Sequence, residues 1–188
     1  MLDPVLYLLA VATLLATPGP TNTLMATSGA TAGVRNSLVM LLAELAGYLI
    51  AIEAIRLLLA PVIAAYAPVG VVLKVAVSIY LVYVAVRLWR RPVGADAGGR
   101  TVSFANVFTT TLLNPKGLIF ALTIIPQQAP GLLGYFAAFA AEVLVFGFAW
   151  IAAGAGLRSV AGSRWGALPK IASAALVLFA GYIAVSAF

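Results

Sequence analysis

The chain has 188 residues, 64% of them hydrophobic and 9% charged, with a net charge of +6 and a mean hydropathy of +1.12. Soluble domains carry about 25% charged residues, so five acids and eleven bases cannot cover a water-facing surface of this size, and the composition is that of an integral membrane protein. Cysteine and histidine are absent, which excludes disulfides, thiolate chemistry, histidine metal ligands and the commonest general base.

The opening Met1-Leu2-Asp3-Pro4 lacks the basic start of a signal peptide, and no A-x-A site closes the apolar run behind it, so this run is expected to be retained. A spanning helix needs roughly 20 apolar residues. Six runs qualify: 3–29, 37–59, 69–89, 104–126, 132–153 and 169–187.

The first run is interrupted by Thr17-Pro18-Gly19-Pro20-Thr21-Asn22. Proline has no N–H, so the carbonyls of Leu14 and Ala16 cannot close helical bonds, and Thr17 and Gly19 are pushed away from α geometry. The break falls near the depth of a bilayer centre, where freed backbone groups must find partners in protein, ligand or trapped water. Gly29-x-x-x-Gly33 fits a helix-dimer spacing, but at a helix end it reads as a cap. In the second run Glu44 lies one helical turn before Tyr48, on the same face. Glu53 and Arg56, near its outer end, read as a local surface pair. Tyr80, Tyr83 and Trp89 run down the third; Trp89, and later Trp150 and Trp165, read as interfacial anchors.

Arg90-Arg91-Pro92-Val93-Gly94-Ala95-Asp96-Ala97-Gly98-Gly99-Arg100 is the most polar stretch. It divides one membrane domain into a three-helix repeat, 1–89, a cytoplasmic linker, 90–103, and a second three-helix repeat, 104–188. The fourth run is broken in turn, at Asn114-Pro115-Lys116-Gly117, and the fifth carries Glu142. Pro18 pairs with Pro115, Glu44 with Glu142 and Lys74 with Lys170, at offsets of 97, 98 and 96. An odd number of spans per half places the copies upside down relative to one another, and two broken helices in corresponding halves point to a transporter binding site. The expected fold is thus an all-α polytopic membrane protein: six transmembrane helices in two inverted three-helix repeats, with helices 1 and 4 broken at proline motifs. Arg35, Arg87, Arg90, Arg91, Arg100, Arg158, Arg164 and Lys170 fall on one side, Arg56 and Lys74 on the other. The basic side should be cytoplasmic, which puts both termini outside.

Thr17-Pro18-Gly19-Pro20 after the first apolar run and Asn114-Pro115-Lys116 in the fourth, within six spans, resemble the LysE/RhtB family of amino-acid exporters. The resemblance runs the length of the chain and includes Ser28-Gly29 to Gly33 and Pro126-Gln127. Members of that family carry a Gly-Asp pair in the second span; the matching pair here is Gly47-Tyr48, with the acid Glu44 one turn earlier. The resemblance implies efflux of amino acids or related metabolites across a bacterial-type cytoplasmic (inner) membrane, driven by the proton gradient.

Glu44, Lys116 and Glu142 all fall near the middle of their runs, where a charge costs about 2.5–3.5 kcal/mol on insertion scales. Lys116 occupies the first turn of a half-helix whose N-terminus already carries about +0.5 charge, so an anion is needed to neutralise both. Pro20 opens the other half-helix and offers the N–H groups of Thr21 and Asn22. Both N-termini are expected to face a central cavity holding a substrate carboxylate. The carbonyls of Leu14, Ala16 and Thr111 would accept from a substrate ammonium or an ordered water. Candidate substrate-binding residues are Thr17, Pro18, Gly19, Pro20, Thr21, Asn22, Tyr48, Asn114, Pro115 and Lys116. With one lysine against two glutamates, Glu44 or Glu142 is left to carry a coupling proton. No catalytic residue, metal ligand or cofactor is expected; the partners are a small-molecule substrate, protons and the bilayer, without nucleic acid, and a homo-oligomer is left open. An inorganic-ion exporter, an intramembrane enzyme and a structural subunit are the alternatives. Hard cations want several oxygens at close range, a membrane enzyme lacks the familiar nucleophile and zinc motifs, and a structural subunit leaves the buried charges without purpose.

Overall fold

The computed structural model describes residues 3–90, 102–126 and 130–158, with positions 174, 177, 178, 181, 184 and 185. Residues 91–101 of the linker, Gln127, Arg164, Trp165, Lys170 and most of the sixth run lie outside the described residues, as do the side chains of Lys74, Tyr80, Arg87, Arg90 and Arg158. The regular elements among the described residues are all helical. They are α1 (Pro4–Ala16), α2 (Pro20–Ser37), α3 (Val39–Ala54), α4 (Ala60–Ala65), α5 (Ala67–Arg90), α6 (Phe104–Leu112), α7 (Pro115–Ile119) and α8 (Leu132–Arg158). A π-helical turn, Ile55–Leu59, joins α3 to α4, and another, Phe120–Ile124, continues α7.

Each proline motif breaks its helix at the expected place. Asp3 caps α1, its Oδ1 accepting from the Val5 N–H at 2.8 Å, and Pro4 fills the first turn where no donor is needed. The helix stops at Ala16, and α2 resumes at Pro20 after an extended Gly19, with a bend of 62°. The fourth run stops at Leu112 and resumes at Pro115 with a bend of 44°. Val39–Ala65 and Leu132–Gly156 are unbroken and apolar enough to cross a membrane; with each bent pair taken as one span, the described residues supply up to four. This is a polytopic, all-helical arrangement.

Two boundaries differ from those read in the sequence. The first run extends through Ser37, and only Leu38 separates it from α3. Gly33 (φ +80°) interrupts helical geometry there, and the Ser28 and Ser37 hydroxyls, 2.8 Å apart, tie the kink, with Ser37 Oγ donating to the Gly33 carbonyl at 2.8 Å. The gap between the second and third runs, residues 60–68, is helical instead: α4 fills 60–65, and Tyr66 alone parts it from α5.

Among the described elements, α2 packs most extensively on α8. Gly29, expected as a cap, sits inside α2 against α8: a Cβ there would stand 2.0 Å from the Ile151 carbonyl oxygen. Gly154 returns the contact, its Cβ position 1.9 Å from the Ala26 carbonyl oxygen. Two backbones meet without side chains between them, as small residues allow within membranes. The α3–α6 pair packs similarly, with Gly47 against Thr111 and the Phe108 carbonyl. Large apolar side chains instead cover the outside; Leu58 is 73% exposed and Leu133 83%. Such a surface would aggregate in water and is suited to hydrocarbon.

The glycine contacts set a test. Gly154→Ala forces the helices apart and should destabilise the protein by about 1–3 kcal/mol. Gly134→Ala, where nothing lies within 4 Å of the added carbon, should leave the thermal midpoint in detergent unchanged or slightly raised.

Candidate functional site

The two breaks lie side by side, and Lys116 joins them. Its Nζ donates to the carbonyls of Leu14, at 2.7 Å, and of Thr17. These belong to the C-terminal end of α1, the negative pole of that helix, where a cation is well placed. Lys116 is 3% exposed and makes no ion pair among the described residues, where the recorded salt bridge is the local Glu53–Arg56 contact at 2.8 Å. The charge that is misplaced on its own helix therefore caps the helix next to it. Gly19 lies beside this lysine: a Cβ there would stand 3.4 Å from Lys116 Cε, in van der Waals contact.

Asn22 completes the same cap. Its Nδ2 donates to the carbonyls of Leu15 at 2.8 Å and Thr17 at 2.9 Å, using both amide protons. Trp150 Nε1 adds a longer bond to Leu15, 3.3 Å. The sequence placed Trp150 at the interface; it stands instead beside the first break, half-buried on α8. No periodicity distinguishes an anchoring tryptophan from one that reaches inward.

Across the gap, Asn114 caps α7, its Oδ1 accepting from the Lys116 N–H at 3.1 Å. Its Nδ2 donates to Thr21 Oγ1 at 3.0 Å and reaches the Tyr48 hydroxyl at 3.4 Å. Thr111 Oγ1 lies 3.2 Å from Thr21 Oγ1, which binds α6 to α2. The Thr111 carbonyl, expected to be free, accepts the Asn114 N–H at 3.0 Å. Thr21, Asn22, Tyr48, Thr111, Asn114 and Lys116 thus form one buried polar cluster. Beneath it Tyr48, Phe120 and Phe139 pack edge to face, with centroids 4.9–6.0 Å apart, so the Tyr48 ring is held apolar while its hydroxyl meets the cluster. The N-terminus of α2 has no side-chain cap. Thr17, Pro18 and Pro20 line the break, each partly exposed.

The two glutamates diverge. Glu44 is 1% exposed, its Oε2 has no hydrogen-bond partner, and it interacts electrostatically with Lys116. Its carboxyl lies against α8, where a Cβ on Gly147 would fall 2.4 Å from Oε2. Glu142 acts instead on Tyr7, whose hydroxyl donates to the Tyr135 carbonyl at 2.8 Å. Both Glu142 carboxyl oxygens are buried without partners. Sequence reasoning named the Thr111 carbonyl but missed its hydroxyl, and missed Gly147; a small residue facing a buried acid carries no local signal.

Asn22→Leu removes two donors from carbonyls that hydrocarbon cannot satisfy. Each carbonyl keeps a second donor, Trp150 on Leu15 and Lys116 on Thr17, so the unfolding midpoint in detergent should fall by the equivalent of about 0.5–1.5 kcal/mol per lost bond. Asn36→Leu, at an exposed amide bonded within its own helix, should change it little.

A family model for the LysE type translocator matches residues 12–187. No curated protein and no solved structure matches. That match covers both proline breaks and the polar cluster between them. The chain belongs to the LysE type translocator family and is a membrane transporter of small molecules, not an enzyme.

Proposed function

We propose that the chain is a secondary active exporter of an amino acid or related small zwitterionic or anionic metabolite, coupled to protons, in a bacterial-type inner membrane. Six spans in two inverted repeats, divided by the 90–103 linker and with both termini outside, complete this proposal. The single observation that supports it is the junction of the two broken helices. There backbone carbonyls, a lysine ammonium and an uncapped helix N-terminus stand together inside an apolar bundle. An ammonium group matches the carbonyls of Leu14, Leu15 and Thr17. A carboxylate matches the positive end of α2, at Thr21 and Asn22. Pro18, Gly19, Pro20 and Pro115 hold these groups out of helical geometry, and Asn114 and Tyr48 fix the wall opposite.

Glu44 is the better proton carrier. A buried carboxylate without a partner is costly unless it is neutralised by a proton or a cation, and the nearby cation is engaged elsewhere. Glu142 stands apart from the junction and is assigned no direct exchange with substrate.

Metabolite levels in cells with and without the protein should show one or a few amino acids depleted inside and accumulated outside. In proteoliposomes, Glu44→Gln should reduce the gradient-driven component of that transport by about 5- to 150-fold, with Glu142→Gln less affected. Equal gradient dependence in wild type and Glu44→Gln would contradict the assignment.

A further inference from the structure

Lys116 occupies two of the carbonyls that a substrate ammonium would need. We propose that the Lys116 ammonium is a tethered stand-in for the substrate's amino group, displaced when substrate binds, and that the displaced lysine moves onto Glu44 and releases its proton. This inference rests on the export function proposed above and supplies its coupling step.

Three observations carry it. First, among the described residues the lysine ammonium is bonded to the backbone carbonyls of Leu14 and Thr17 at the end of α1, a set of acceptors that any primary ammonium fits equally well. Second, Glu44 lies within the electrostatic reach of Lys116 but outside ion-pair contact with it, and Oε2 is without a partner. The lysine, on a flexible four-carbon stem, thus has a second acceptor that is vacant. Third, Gly19 leaves only the lysine stem in the space beside the break, with no side chain of its own to fence it in.

The groups facing Glu44 are few. Among the described residues Lys116 of α7 and Tyr48 of its own helix interact electrostatically with it, and α8 presents Gly147. No other cation faces it among these. In the resting arrangement Lys116 is charged and Glu44 carries a proton. Substrate brings its own ammonium to Leu14 and Thr17. Lys116, still protonated, pairs with the Glu44 carboxylate, and the proton leaves the carboxyl oxygen for water. One proton is released for each amine bound, and its return from the opposite side resets the lysine. Substrate and proton thereby move in opposite directions without a group shared between them.

Purified full-length protein in nanodiscs, in weak buffer with a pH indicator, tests this. The probes are a panel of L-amino acids and the matching 2-hydroxy acids, which keep side chain and carboxylate but lack the ammonium. Trp150, bonded at the same break, reports binding in a Trp89→Phe, Trp165→Phe background. Amino acids should bind about tenfold or more tightly than their hydroxy analogues and release about one proton each; the hydroxy acids should release none. Lys116→Met should bind the amine probes at least as tightly, because the carbonyls are vacant, yet release no proton. Hydroxy acids that release protons as amino acids do would overturn the displacement, whatever the fate of the variant. So would undiminished proton release in Lys116→Met. If amino acids bind without proton release, displacement fails and amino-acid binding stands; if no panel member binds wild type, the amino-acid function falls and takes this step with it.

Discussion

Backbone carbonyls freed inside hydrocarbon must be satisfied by something in the protein, and here a lysine from the opposite half of the chain satisfies them. An unpaired backbone group in a bilayer core costs several kcal/mol. Pro18 ends α1 and exposes the carbonyls of Leu14, Leu15 and Thr17. Lys116, Asn22 and Trp150 take them up from three different helices. Because the donors come from α7, α2 and α8, satisfying this one helix end also fixes how the two broken spans sit together. The charge and the break explain each other.

The same constraint shapes the rest of the interior. Asn114 caps α7 with one end and holds Thr21 with the other, so a single side chain serves both breaks. Glycines let the helices around it approach to backbone contact, Gly29 and Gly154 between α2 and α8, and Gly47 between α3 and α6. A bundle packed this tightly does not deform gradually. Any rearrangement that opens the junction has to exchange one set of donors for another.

Much of this was legible in the sequence. Pro18, Pro20 and Pro115 mark breaks wherever they fall in an apolar run, because the missing N–H is a covalent fact. Glu44 and Tyr48, four residues apart, had to share a face, and both are buried. What could not be read was which neighbour each polar group finds. Lys116 looked like a charge in need of an anion because only its own helix was visible along the chain; the negative pole that holds it belongs to a helix about a hundred positions away. Trp150 looked interfacial for the same reason. The helix at 60–65 fell in the gap between the second and third runs; Pro61 and Pro68 there sit in first turns, where proline is tolerated.

The bond between Lys116 and the end of α1 can be measured directly. Solid-state NMR of the protein in lipid, with lysine Nζ labelled with nitrogen-15 and leucine carbonyls with carbon-13, should show a dipolar contact at hydrogen-bonding range. That contact should vanish in Lys116→Met, while those of Lys74 and Lys170, if any, remain. If it is absent from the wild type, or if Lys116 Nζ couples only to the Glu44 carboxyl carbon in substrate-free protein, then the helix end is held by something else and the account of the site is wrong.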